Sequence, residues 1–293
     1  MTRKIGFVGL GAMGLPMATN LVTAGFEVRG FDLAPEARAN LARAEGMAVE
    51  SAADAATGAD VLVLMVVNAA QASSVLFDAG AAASLREGGI VALMSTCPPG
   101  EVAALAARVE GTGRRFIDAP VSGGVAGAKS RGLTIMAAAP DALFAEARPV
   151  FEALGNKIFH VGVRPGQGAA MKSVNQLLCG VHLAAAAEAL AFACWMGVDP
   201  EAALGILSGS SAASWMLSDR GPRMLEAAPI VTSAIDIFVK DLGIVLEAGR
   251  EARAPLPLAA IAHQMFVAAS SAGKGSADDS QVIRTYHSMA GNR

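Results

Sequence analysis

A glycine fingerprint set between an apolar run and an amphipathic one constrains this chain more than any other feature. Residues 4–14 read KIGFVGLGAMG: a short β-branched run, then Gly9, Gly11 and Gly14 spaced G-x-G-x-x-G, with a helical pattern, LPMATNLVTAG, following directly. In that position each glycine has its own physical task. Gly9 permits a tight turn, Gly11 lets backbone approach a pyrophosphate, and Gly14 allows helix to pack on strand, while the helix N-terminus supplies donors and positive potential. Ala12 and Met13 complete the loop. The next apolar run, EVRGFDL, ends at Asp32. A carboxylate there can accept hydrogen bonds from both ribose hydroxyls of a dinucleotide's adenosine and would repel a 2′-phosphate. The expected cofactor is NAD rather than NADP, with Arg38 the one nearby group that argues the other way.

The same grammar continues through the first half. ADVLVLMVV, GGIVALMST, RRFIDAPV, LTIMAA and KIFHVG read as strands, separated by alanine-rich helical stretches. Strands joined through helices imply right-handed crossovers and a mostly parallel sheet covered on both faces. After Val161 the strand signals stop. Residues 166–197, 199–209, 211–228, 231–253 and 255–274 read as helices, broken at Asp199-Pro200, Pro229 and Pro255/Pro257. The expected class is α/β: a Rossmann-type doubly wound parallel sheet over residues 1–163, followed by an all-α domain over 164–293.

Composition narrows the functions. With 293 residues, 53% hydrophobic and 17% charged, the chain can bury large cores, and a net charge of −3 offers no basic field for nucleic acid or an acidic membrane. Three irregularly spaced cysteines argue against a disulfide framework, and four dispersed histidines lack metal-ligand spacing, so no metal is expected. Glycines interrupt the N-terminal apolar run and no small-residue cleavage site ends it, which makes cytoplasm the expected compartment. Residues 177–197 have the length of a membrane span, but His182, Glu188 and the many alanines suit a helix buried among neighbours. Such long apolar helices would expose too much surface on a lone monomer, so a homo-oligomer, dimer or tetramer, is expected.

One ammonium stands out in GQGAAMKSVNQLLCG. Gly166 and Gly168 mark the turn into a helix, which puts Lys172 about one turn inside, where the positive end of the helix dipole disfavours a cation. Burial beside Met171 and Leu177 would favour the neutral amine further. A neutral lysine can take the proton of an alcohol while hydride leaves the same carbon; the plainer alternative is a lysine that snorkels to water. Asn175 and Gln176, three and four residues on, share its helical face. Earlier in the chain, Ser122, Gly123 and Gly124 offer a hydroxyl and approachable amides suited to a carboxylate, although an ordinary loop has the same composition.

Four segments, GLGAMGLPMATNL (9–21), DAPVSGG (118–124), GQGAAMKSVNQ (166–176) and FVKDLGI (238–244), resemble the motifs of the β-hydroxyacid dehydrogenases in their order along the chain. The resemblance implies an NAD-dependent enzyme with Lys172 as the proton donor and acceptor and Asn175 beside it in catalysis. It implies a small hydroxy acid held by Ser122, Gly123, Gly124 and Gln176. Val66, Val67, Asn68 and Thr96 would follow the cofactor toward the nicotinamide, and Phe238 and Lys240 would reach it from the helical domain, with Asp241 pairing Lys240. The family pattern has two asparagines where this chain has Asn175 and Gln176, so which amide orients the substrate stays open. LLCGVHLAAAAEAL, SAASWML, SAIDIFVKDLGIV and GKGSADDSQVI resemble the L-threonate-oxidising branch. That likeness implies oxidation of the 2-hydroxyl of a four-carbon sugar acid, L-threonate to 2-dehydro-L-erythronate, with Trp215 either walling the polyol tail or buried as a helix aromatic. Reduction of tartronate semialdehyde or of succinic semialdehyde and oxidation of 3-hydroxyisobutyrate are the alternatives within the family. A non-catalytic NAD-binding sensor would keep the glycines without needing Lys172, Ser122 and the amide pair.

Overall fold

Nine short strands make one sheet in the computed structural model, which describes residues 3–289. They are β1 (Lys4–Val8), β2 (Glu27–Phe31), β3 (Met47–Ala48), β4 (Val61–Leu64), β5 (Ile90–Leu93), β6 (Arg115–Asp118), β7 (Val121–Ser122), β8 (Leu133–Ala138) and β9 (Gly155–Gly162). The spatial order is β3-β2-β1-β4-β5-β6-β8-β7, with β9 paired to β8. From β3 through β6 every pairing is parallel. The chain order reverses between β1 and β4, the switch point at which a doubly wound sheet opens a crevice beyond its strand ends.

Side chains alternate across this sheet and feed two separate apolar layers. Ile5, Phe7, Val61, Val63, Ile90 and Ala92 pack into one; Val8, Leu62, Leu64, Val91 and Leu93 pack into the other. A strand buried on both faces needs an unbroken apolar run rather than alternation, and VLVL and IVAL supply it.

The sheet is not parallel throughout. β8 runs antiparallel to both β6 and β7, in a register that pairs Asp118 with Ala138, Val121 with Ile135 and Ser122 with Thr134. Those pairs lie on one continuous ladder, so β6 and β7 are a single line of chain interrupted at Ala119-Pro120. Pro120 has no N–H to donate, although its carbonyl still accepts from Met136 at 3.0 Å. The return from β7 to β8 goes through the short helix Gly124–Lys129, and the chain reverses direction instead of crossing over.

By internal contacts the described chain divides after Lys172, inside the helix Gln167–Trp195. By length and composition this helix could cross a membrane. Leu183, Ala187, Leu190 and Ala191 on it are fully buried in an apolar core with Ile235, Leu242, Phe266 and Val282. The later helices are Pro200–Ser208, Trp215–Leu225, Ile235–Glu251, Pro257–Ala269 and Ile283–Met289. Two of them begin later than their sequence pattern suggests. Ser214 caps the first by accepting from the Leu217 amide at 3.0 Å. Residues 232–235 are drawn out by pairing with 277–279: the Thr232 amide donates to Asp278, the Asp279 amide to Ser233, and the Ile235 amide to Ala277, at 2.7–3.0 Å. Asp278 and Asp279, almost wholly buried, also receive Arg223 and Arg220, an ionic cluster that closes this core.

One buried carboxylate fixes where the long helix begins. Asp118, at the end of β6 and 1% exposed, accepts the amides of Gly166 and Ala169, both at 2.9 Å. These amides belong to the first turn, which has no partners within the helix, so Asp118 caps it from far away in sequence. Gly168 allows the approach: a Cβ there would stand 2.6 Å from the Met136 carbonyl oxygen and 2.7 Å from that of Asp118. Burial pushes the Asp118 carboxyl up to about 6 from an ordinary 3.8, against the opposing pull of the amides of Ala169, Gly166 and Gly168. Between those two values the folded protein holds a proton that the unfolded chain has released. Stability from this group is therefore greatest below the lower value and falls as pH rises through the window, by up to about 3 kcal/mol. Asp118→Asn should flatten the dependence of the urea midpoint on pH between roughly 4 and 6 relative to the parent; an unchanged slope would assign the titration to other carboxylates.

Candidate active site

The loop after β1 has the shape its glycines predict. Gly9 has φ +95°, and a Cβ on it would collide with the Met65 carbonyl oxygen; one on Gly14 would collide with the carbonyl oxygen of Gly9. Around Gly11 the position of a Cβ meets nothing within 4 Å, and no side chain caps the helix Gly14–Thr23. Open space over a glycine loop at an uncapped helix N-terminus fits a pyrophosphate. Ala12 and Met13 lie in that loop, just before the helix.

Asp32, half-buried at the end of β2, ties this loop down. Its Oδ2 accepts from the Leu10 amide at 2.7 Å and its Oδ1 from the Ala34 amide at 2.9 Å. Each carboxylate oxygen retains acceptor capacity for a ribose hydroxyl. Arg38 donates to the Asp32 carbonyl at 2.8 Å and to Glu50 at 3.1 Å, so the cation that could welcome a 2′-phosphate is already engaged.

At the ends of β4 and β5 the connections are set by small polar groups. The Val66 amide donates to Ser95 Oγ at 2.9 Å and the Val67 amide to Gln71 Oε1 at 3.0 Å, while Asn68 Oδ1 caps the helix Ala69–Ser73 through the Gln71 amide. Thr96 is half-buried immediately after Ser95. Asp118 opens the DAPVSGG motif, but neither its capping role nor that of Ser95 was legible in the sequence, since a serine before a threonine and an aspartate ending a strand carry no periodicity. Ser122 is half-buried on β7, followed by Gly123 (φ +127°) and Gly124 (φ +61°), so the serine is carried by a strand rather than a loose loop.

Lys172 is the sixth residue of the long helix and only 6% exposed. Met171, expected to help bury it, is itself 40% exposed, because adjacent helical residues point about 100° apart. The buried face is the one bearing Ala169, Lys172, Ser173 and Gln176.

In the helical unit, Asn175 Nδ2 donates to Gln176 Oε1 at 2.9 Å and approaches Cys179 Sγ at 3.3 Å. Gln176 Nε2 donates to Asp241 Oδ2, and Lys240 Nζ lies 2.8 Å from Asp241 Oδ1. Gln176, expected at the substrate, therefore spends both ends of its amide on protein partners. Phe238, expected at the cofactor, is 4% exposed and stacked on Phe266 at 5.0 Å, a place in the core. Trp215 is 55% exposed at the start of its helix, with the Arg220 guanidinium 5.7 Å from the ring centre, so it is not a buried helix aromatic. Among the described residues no group of three or more His, Cys, Asp or Glu could hold a metal ion.

Known proteins match both halves. The family model for the NAD binding domain of 6-phosphogluconate dehydrogenase matches residues 4–162, and that for the NAD-binding region of NADP-dependent 3-hydroxyisobutyrate dehydrogenase matches residues 166–286. The chain is 45% identical to the L-threonate dehydrogenase of Cupriavidus necator, covering 98% of this chain and 97% of that one. It is 37% identical to the 2-(hydroxymethyl)glutarate dehydrogenase of Eubacterium barkeri over 98% and 96% of the two chains. The crystal structure of a 3-hydroxyisobutyrate dehydrogenase from Salmonella typhimurium superposes with a TM-score of 0.91 at 40% identity, covering 96% of this chain and 98% of that one. With a dinucleotide-binding crevice, a buried lysine on the long helix and full-length likeness to such enzymes, the chain belongs to the NAD-binding β-hydroxyacid dehydrogenases of the 3-hydroxyisobutyrate dehydrogenase type.

Proposed function

We propose that this enzyme oxidises L-threonate at its 2-hydroxyl to 2-dehydro-L-erythronate, with Lys172 as the general base. The observation that carries the reading is a lysine 6% exposed on an apolar helix, in a chain 45% identical to an L-threonate dehydrogenase. When bound, NAD supplies the hydride acceptor. Gly9, Gly11, Ala12, Met13 and Gly14 would hold its pyrophosphate and Asp32 its adenosine ribose, while Val66, Val67, Asn68 and Thr96 line its further course.

The rest of the chemistry falls to the chain itself. Ser122 Oγ and the amides of Gly123 and Gly124 hold the carboxylate of the acid, because a hydroxyl and amides at glycines can all approach one anion closely. Lys172 Nζ, as the neutral amine, takes the hydroxyl proton as the C2–H bond gives up its hydride, leaving a 2-oxo acid and an ammonium that later releases the proton to water. Asn175 orients the reacting oxygen or the amine. Lys240 and Trp215 serve cofactor and polyol tail by family likeness. We assign residues 164–293 to substrate binding and assembly, and the enzyme to the cytoplasm.

Assembly is supported by an apolar stripe along the long helix. Val174, Leu178, Phe192 and Trp195 are 46–56% exposed and fall on one side of the helix, within an arc of about 100°, with Met196 adjoining. A second copy of this chain is the proposed cover, since such a stripe is costly in water. Light scattering should report a dimer or tetramer, and Leu178→Lys with Phe192→Lys should shift it toward monomer; a monomeric parent would remove this assignment.

Lys172→Ala should fold and bind NAD yet lose about 10²–10⁴-fold in kcat for L-threonate. The rising limb of kcat/KM with pH, which reports loss of the lysine proton, should vanish in the same variant. A kcat within a few-fold of the parent, limb intact, would leave Lys172 as a charge that holds the carboxylate. Among hydroxy acids, L-threonate should have the highest kcat/KM; a better 3-hydroxyisobutyrate or 2-(hydroxymethyl)glutarate would reassign the substrate and leave the family untouched.

NAD should outperform NADP in kcat/KM, with the gap narrowing in Asp32→Ala because the variant loses both the ribose acceptor and the charge that repels a 2′-phosphate. Equal use of both by the parent protein would overturn the assigned role of Asp32.

A further inference from the structure

Inside the helical unit, one carboxylate sets the direction of a chain of hydrogen bonds. Asp241 is 3% exposed and Gln176 is 7% exposed. A carboxylate only accepts, so Gln176 must turn its Nε2 toward Asp241 Oδ2, as it does. That choice leaves Gln176 Oε1 facing Asn175, whose Nδ2 donates to it at 2.9 Å and lies 3.3 Å from Cys179 Sγ. The NH2 end of Asn175 is thereby engaged on the protein side. Its Oδ1, an acceptor, is the end that neither Gln176 nor Cys179 occupies.

An amide's two ends are nearly the same size, and a glutamine or asparagine without a directing partner can turn over at little steric cost. Asp241 removes that freedom twice in succession. Its second oxygen lies 2.8 Å from the Lys240 ammonium, an ion pair without hydrogen-bond geometry, so the Gln176 amide is the carboxylate's one side-chain hydrogen-bond donor among the described residues. We propose that Asp241 is a positioning residue: acting through Gln176, it holds Asn175 so that an acceptor, and not a donor, is offered to the reacting centre. An acceptor suits the N–H of a neutral amine and the O–H of an alcohol, both donors, whereas an NH2 would compete for the same lone pairs that the reaction uses. Gln176 is thus a link in the relay rather than a ligand of the acid. This inference rests on the proposed role of Asn175 in catalysis.

Asp241→Asn, nearly isosteric, frees Gln176 to turn either way. With L-threonate as substrate it should lower kcat about tenfold or more while KM for NAD stays within about twofold. Gln176→Leu should show a similar split, and the double variant should lose no more than the worse single one, because both cut one relay. Additive losses would mean that Asp241 acts through Lys240 and would overturn the proposal. Should Asp241→Asn fail to fold, Gln176→Leu decides alone: kcat within about twofold of the parent sinks the relay. Asn175→Ala separates the two levels. If it leaves kcat intact, the role of Asn175 itself falls; if it lowers kcat while Asp241→Asn and Gln176→Leu do not, only the relay falls.

Discussion

The hydrogen bonds from the first turn of the long helix to the Asp118 carboxylate fix where the helix that bears Lys172 begins. A helix N-terminus leaves amides without partners, and a buried carboxylate without donors is among the costlier groups a core can hold. Each solves the other's problem. The Gly166 and Ala169 amides reach one oxygen of Asp118 at 2.9 Å, and Gly168 lets helix and strand ends meet without a side chain between them. Because Lys172 follows three residues after Ala169, its place relative to the end of β6 is decided by this cap rather than by anything the lysine does.

Asp32 and Asp241 repeat the principle in other places. Asp32 draws in the amides of Leu10 and Ala34 and so joins the glycine loop to the end of β2. Asp241 draws in the amide of Gln176 and the ammonium of Lys240. In each case an acceptor-only group leaves its donors one orientation.

The ionic cluster of Arg220, Arg223, Asp278 and Asp279 has a different consequence. It holds residues 232–234 against 277–279 and so delays the start of the helix that carries Lys240 and Asp241 to Ile235. Residues 279–289, which carry no strong helical pattern, are helical for the same reason: Asp278 caps the turn through the Ser280 amide while paired with Arg223. Local propensity alone misplaces both boundaries, since a buried ion pair outweighs the few tenths of a kcal/mol by which most residues differ in helix preference.

Legible in the amino-acid order alone were the parallel strands β1, β2, β4, β5 and β6, the glycine turn, the acidic end of β2 and the change from strands to helices, read after Val161 where the last strand ends at Gly162. All of these rest on patterns a few residues long: apolar runs, a glycine spacing, the periodicity of a helix face. The apolar length of the long helix and the singular position of Lys172 were legible for the same reason. Packing in three dimensions was needed to show that β6 and β7 are one interrupted line paired antiparallel to β8, that Met171 is 40% exposed while Lys172 is buried, and that Phe238 belongs to the core. It also decided that Gln176 faces Asp241, 65 residues away in sequence. Hydrogen-bond direction and burial depend on what stands opposite a residue in space, and no spacing within one segment records that.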